Sequence, residues 1–166
     1  MSTFDAKVAD SDDAFYMHLA LQQAQFAYEQ GEVPVGAILV ADECVIGRGF
    51  NMPITSCDPS AHAEICALRD GAKRVGNYRL IETTLYVTVE PCAMCLGALM
   101  HARVARVVFG TREPKAGRLC SHPLIHDPCF NHRISVIEGV CEKDCKDLMQ
   151  SFFAERRARK KALKSN

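Results

Sequence analysis

Apolar positions along the chain change their period several times, and each change marks a new element. They first keep helical spacing through Phe15, Leu19, Leu21, Ala24 and Phe26, behind a Ser11 or Asp12 able to cap and ahead of a Gly31 placed for a C-terminal cap. Two β-rich runs follow, VPVGAILV (33–40) and CVIGRGFN (44–51), joined by Ala41, Asp42 and Glu43, and these predict a hairpin. NMPITSCDPSA (51–61) breaks every period with two prolines and several turn residues, so it reads as an irregular loop. HAEICALRDGAKRVG (62–76) returns to helical composition, with Ser60 in front of it as a candidate N-cap.

The β-branched run TLYVTVE (84–90) predicts a strand that ends at Pro91, and CAMCLGALMHA (92–102) a helix that tolerates this proline at its start. RVVFGT (106–111) and SVIEGV (135–140) read as two more short strands, separated by a long loop rich in Pro and His. The remainder, from Cys141 to Lys164, predicts one long helix with Leu148, Phe152 and Met149 on its buried side. The order α-β-β-α-β-α-β-β-α predicts an α/β sandwich built around a central sheet.

Length and composition restrict the picture further. The 166 residues suit a single domain, 1–166, able to bury a core without disulfide staples. The N-terminal stretch 1–15 has four aspartates and no apolar segment of the secretory kind, and no apolar run is long enough to span a bilayer; a cytoplasmic protein with no membrane partner is expected. Nine cysteines, an odd number, in a reducing compartment favour metal binding or core packing over a disulfide framework. The formal charge is zero, yet RRARKKALK (156–164) holds six of the 20 basic residues and no acid. The rest of the chain therefore carries 14 Lys and Arg against 20 Asp and Glu, or minus six. A solvated helix end would explain the tail, but six cations behind Phe152 and Phe153 also suit phosphate contacts beside a base-stacking surface.

The chemistry concentrates in EPCAMC (90–95). A CxxC pair alone fits a redox site, half a zinc site or chance packing. Cys92 and Cys95 share one face of a helix's first turn, and His62 at the start of another helix can supply a third ligand. One nitrogen and two thiolates leave a tetrahedral zinc one open position, the mark of a catalytic rather than a structural site. Such a site is formally neutral, and two helix N-termini favour the thiolates. Glu64, two residues after His62, is placed to carry protons rather than to bind metal.

AHAEICALR (61–69) and VTVEPCAMCLGA (87–98) resemble the H-x-E and P-C-x-x-C signature of the zinc-dependent nucleobase deaminases. VPVGAILV, GRGFN, NYRLIETTLYVTVEPC, HARVARVVFG and NHRISVIEGV extend the likeness to the bacterial tRNA adenosine deaminases, from about Phe15 to the basic tail. The resemblance implies a cytidine-deaminase-like three-layer α/β/α sandwich with a five-stranded mixed sheet. It also implies hydrolytic conversion of adenosine to inosine at the wobble position of a tRNA anticodon stem-loop, in a homodimer. On the same footing His62, Cys92 and Cys95 hold one Zn²⁺ per chain, and Glu64 is the catalytic proton carrier. Asn51 matches a residue that contacts the target nucleoside, Glu113 takes the place of a loop acid, and Phe153 and Arg156 match positions near the anticodon loop, on a basic helix over about 142–164.

Two departures bear on RNA selection. The family usually has Asp where Glu113 stands, and RLCSHPLIHDPC (118–129) is one residue shorter than the usual loop and lacks its Gly-Ser pair. CSHPLIHDPCFNH (120–132) contains three histidines and two cysteines, but without regular ligand spacing it is better read as a loop shaping the substrate site than as a second metal site. Cys44, Cys57 and Cys66 are expected to be small packing residues. A deaminase of a free base or nucleoside would share the zinc signature without needing the basic helix. A zinc-stabilised RNA-binding module would not need Glu64, and a thiol redox protein would not need His62.

Overall fold

The computed structural model describes residues 11–164. Its elements are α1 (Ser11–Glu29), β1 (Gly36–Ala41), β2 (Cys44–Phe50), α2 (Pro53–Ser56), α3 (Ala63–Val75), β3 (Thr84–Val89), α4 (Ala93–Ala102), β4 (Arg106–Thr111), β5 (Ser135–Glu138) and α5 (Glu142–Lys164). The five strands form one sheet in the order β2-β1-β3-β4-β5. β1 runs antiparallel to both β2 and β3, while β3, β4 and β5 are mutually parallel. The sheet is therefore mixed, with α4 as the crossover from β3 to β4.

Strand alternation sorts the core into two faces. Ala37 and Leu39 of β1, Leu85 and Val87 of β3, and Val107 and Phe109 of β4 pack with Ala63, Ala67, Leu96 and Leu99 of α3 and α4. The intervening Ile38, Val40, Tyr86 and Val108 pack with Met17 and Ala20 of α1 and Cys145 of α5. The result is three layers, α3 and α4 on one side of the sheet and α1 and α5 on the other.

The hairpin forms where the β-rich runs predict it, through a turn at Asp42 and Glu43 with φ of 47° and 61°. Two consecutive left-handed residues give the turn whose twist matches that of the strands. Other expectations need correction. In α1 the fully buried face is Met17, Ala20, Ala24 and Ala27, whereas Phe15 and Phe26 are exposed. Small residues there let the helix lie close on β1, where a Cβ on Gly36 would meet the Ala20 carbonyl oxygen at 2.1 Å. Ser11 and Asp12, expected as caps, both lie inside the first turn of α1 instead. Part of the 51–61 loop is the four-residue helix α2, started by Pro53. Pro91 stands outside α4, whose cap position is Cys92. On α5, Cys145 and Phe152 are buried while Leu148 and Met149 are only half-buried. Cys44 and Cys57 are exposed and Cys66 half-buried, so only the last packs at all as expected.

One polar network crosses the α1 layer. The buried Asp13 carboxylate accepts hydrogen bonds from Arg106 at 2.9 and 2.6 Å and from the Tyr86 hydroxyl at 2.9 Å, tying α1 to β3 and β4. Removing one partner of a buried pair strands the other charge, so Arg106→Ala is expected to lower unfolding free energy by about 3 kcal/mol. A shift in the urea midpoint at unchanged slope would measure it.

Candidate active site

The start of α3 is positioned by backbone packing against β2. A Cβ on Gly49 would lie 2.2 Å from the Ala63 carbonyl oxygen, and one on Gly47 2.3 Å from that of Ala67, so only glycines let the helix approach this closely. The expected cap, Ser60, does not cap α3; its amide and hydroxyl both donate to Asp58, at 2.8 and 2.7 Å. His62 occupies the cap position in extended conformation and makes no side-chain cap bond. The first amide of the helix, that of Ala63, instead donates to Oδ1 of buried Asn51 at 2.9 Å. Asn51, directly after β2, thus supplies the cap from twelve residues away and leaves the imidazole of His62 to turn elsewhere.

That imidazole meets the start of α4. The Nδ1 atom of His62 lies 3.7 Å from Cys92 Sγ and 3.6 Å from Cys95 Sγ, and the two sulfurs are 3.7 Å apart. Bonds of about 2.3 Å to sulfur and 2.0 Å to nitrogen around a tetrahedral zinc set such donors ~3.5–3.8 Å apart, so these three fit the ion. Among the described residues they are the one group of His, Cys, Asp or Glu side chains so arranged. Contact with Cys95, and then with His62, brings the Cys92 thiol down to about 3, while Cys92 and burial push Cys95 far up. His62 is raised, first by Cys92. The three donors share protons that a divalent cation would displace. Cys95 is fully buried and Cys92 half-buried, and both sit at a helix N-terminus, whose partial positive charge favours thiolate.

Glu64, in the first turn of α3, is 4% exposed. Burial is the main cause that pushes its carboxyl up to about 7, and it is hydrogen-bonded to Cys95. A carboxyl held beside the donor cluster and shielded from bulk water can hold and release a proton locally.

The remaining expected site residues fall on a surface at the C-terminal ends of the parallel strands, the side on which α/β sheets bind ligands. Glu113, two residues after β4, and Phe153 of α5 both line a cavity of about 710 Å³ with Val89, Arg112 and Lys146. Phe153 also borders a second cavity of about 590 Å³, together with Arg156, Tyr28 and Arg159. Arg156 lies over the Phe152 ring at 5.3 Å. So Glu113 and Phe153 come together, while Arg156 belongs to the neighbouring basic groove. The loop of 120–132 does not form a metal cluster: His132 bonds the Val104 carbonyl oxygen and His122 that of Pro114, each at 2.7 Å. Sequence reasoning missed the role of Asn51 as a cap and any role for buried Glu90, whose hydrogen bonds run to a loop 23 to 31 residues away.

Residues 10–111 match the cytidine and deoxycytidylate deaminase zinc-binding region. The tRNA-specific adenosine deaminase of Haemophilus influenzae is 46% identical over 162 residues, 96% of this chain and 94% of the relative. That of Bacillus subtilis is 42% identical over 159 residues, covering 94% and 98%. A structure solved in a study of A-to-I editing by tRNA:A34 deaminases superposes with a TM-score of 0.79 at 38% identity, over 81% of this chain and 98% of the other. The guanine deaminase of Bacillus subtilis superposes less well, with a TM-score of 0.58 at 36% identity over 63% of this chain and 66% of the other. By matched residues, by identity along nearly its whole length and by fold, the chain belongs to the zinc-binding cytidine and deoxycytidylate deaminase family, in the branch of the tRNA-specific adenosine deaminases.

Proposed function

We propose that the protein hydrolyses adenosine to inosine at the wobble position of a tRNA anticodon stem-loop, with zinc held by His62, Cys92 and Cys95. The observation that carries this is the buried Glu64 carboxyl beside those three donors, at the meeting point of two helix starts. When bound, zinc supplies the Lewis acidity that makes water a nucleophile near neutral pH. Glu64 takes one proton from the water that adds to C6 and delivers it to N1, then takes the remaining hydroxyl proton of the C6 adduct and gives it to the departing amine. The C6–N bond breaks as the carbonyl forms, water is consumed and ammonia released. Asn51, fixed by its bond to Ala63, would present its amide to the nucleoside. Glu113 and Phe153 would receive the bases around a target splayed from its loop, and the cations of α5, Arg156 among them, would contact phosphates.

The reading takes residues 1–166 as one domain, acting in the cytoplasm as a homodimer. No described helix is long and apolar enough to cross a membrane. Support for self-association comes from an apolar groove between α3 and α4, lined by Ile65, Leu68, Tyr78 and Leu80, with Tyr78 and the nearby Ile81 strongly exposed. Sedimentation at twice 18.4 kDa is the expected result.

The test is inosine formation on an anticodon stem-loop with a wobble adenosine, run beside free adenosine, cytidine and guanine. Inosine in the RNA alone is expected; turnover of a free base with the RNA untouched would overturn the substrate. Removing residues 157–164 deletes five of the six tail cations. If each neutralises one phosphate, the truncation should lower RNA affinity at low salt and flatten the salt dependence of binding by up to about 3.5 units of slope. An unchanged slope would mean that this helix end is merely solvated.

A further inference from the structure

Glu90 has no part in the chemistry above, yet it is among the most heavily hydrogen-bonded side chains in the molecule. It is 3% exposed and stands between the end of β3 and the Pro91-Cys92 start of the metal helix. Its Oε1 accepts the amides of Leu119, Cys120 and Ser121 at 3.0, 2.7 and 2.9 Å. Its Oε2 accepts the Glu113 amide at 3.1 Å and the Ser121 hydroxyl at still closer range. Five donors converge on one side chain, and only an ionised carboxylate, which accepts at both oxygens, can satisfy them all.

The segment so gathered is 113–121, which opens the long connection between β4 and β5. Its other ties strengthen the arrangement. Arg118 donates its amide to the Pro91 carbonyl oxygen at 3.0 Å, and the Gly117 amide closes back on the Glu113 carbonyl oxygen at 2.9 Å. Arg112, just before the segment, is held by two bonds of 2.6 and 2.7 Å to Glu138 of β5. A Cβ at Gly117 would lie 2.2 Å from Glu90 Oε2, so a side chain there would displace the carboxylate. Loops without secondary structure hold position only where their backbone donors find partners, and here one carboxylate next to Cys92 supplies four of them.

We infer that Glu90 is the positioning residue that locks the 113–121 loop to the start of the metal helix and so places Glu113 against the target nucleotide. Glu90 itself touches neither metal nor substrate. The part concerning Glu113 rests on the RNA-deaminase reading; the clamp itself does not.

Two variants separate the ends of the clamp. In Glu90→Gln the amide oxygen can keep the 119–121 amides while its NH₂ group turns toward the Glu113 amide, donor against donor. Glu90→Ala releases both ends. Hydrogen exchange of zinc-loaded protein should speed up about tenfold at Glu113 alone in Glu90→Gln, and at 113 and 119–121 in Glu90→Ala, one charged hydrogen bond being worth at least that factor. The α3 and α4 amides and the zinc content should match wild type. On the stem-loop, KM should rise by about tenfold in Glu90→Gln at nearly unchanged kcat, since loosening a binding loop costs affinity. A partly unfolded enzyme would lose kcat at unchanged KM.

Wild-type exchange rates at 113 and 119–121 in Glu90→Ala would overturn the clamp, as would loss of zinc from Glu90→Gln, which would place the residue's effect on the metal site. Faster loop exchange with kinetics equal to wild type would overturn the link to substrate. Should Glu90→Ala fail to fold, Glu90→Gln carries the test. Failure of wild-type protein to deaminate any RNA would refute the function proposed above, and the exchange measurement would still decide whether Glu90 clamps the loop.

Discussion

Glu64→Gln is expected to lower kcat for RNA deamination by about 10³-fold, within the range attributed to a positioned proton carrier. The substitution keeps size and burial but removes the group that can accept and return a proton. Glu64 is nearly fully buried in the first turn of α3 and is not one of the three donors, so zinc content and melting temperature should stay close to wild type. KM for the stem-loop should change little, because the surface expected to hold RNA lies on the 113–121 loop and α5. Inosine release per zinc-loaded chain measures the effect. A variant retaining more than about a tenth of wild-type kcat would sink the assignment, since a proton carrier contributes at least 10²-fold. It would mean that a group other than Glu64 moves the proton.

Cys95→Ser should abolish zinc binding and deamination together, and lower stability besides. Cys95 is completely buried between α4 and the imidazole of His62, so its loss removes one ligand and leaves a hydroxyl in a site built for thiolate. A metal at 1,000 times its dissociation constant stabilises the folded chain by about 4 kcal/mol. For a chain of this size that corresponds to roughly 10 °C in melting temperature. Wild type stripped with a chelator should fall by that amount and recover on addition of zinc. The variant should already melt near the stripped value and lose almost nothing further to chelator. A variant that still responds to chelator like wild type would show that zinc sits elsewhere.

Much of the site was legible before any coordinates. HAE and PCAMC are each local patterns, since ligands three residues apart share a helical face and an acid two residues from His62 points away from the direction His62 takes. Their pairing across 30 residues follows from the resemblance to the deaminase signature. The structure puts those side chains where the pattern implies, because both motifs begin helices that pack on the same face of the sheet. The strands over 84–89 and 106–111 were equally plain, as short β-branched runs bounded by turn signals.

The misreadings have one cause. Ser60 has the composition of an N-cap, and nothing local excludes it, yet its donors go to Asp58 while the cap comes from Asn51 across a loop and a short helix. Phe15 and Phe26 have the apolar character of core residues, but β1 approaches α1 too closely to admit them, and alanines take the buried face. Glu90 reads locally as the last residue of a strand, since its partners at 113 and 119–121 are brought to it only by the fold.

Sequence alone therefore determined the five strands and the four longer helices in their order, the α/β class and, through the deaminase signature, the His62, Cys92 and Cys95 donor set, because these rest on periodicity and on short motifs. Tertiary structure alone decided which glycines let helices touch strands, which residue caps α3, and which carboxylate gathers the loop beside the metal helix. Those depend on hydrogen bonds and steric contacts between segments distant in the chain, which no local pattern encodes.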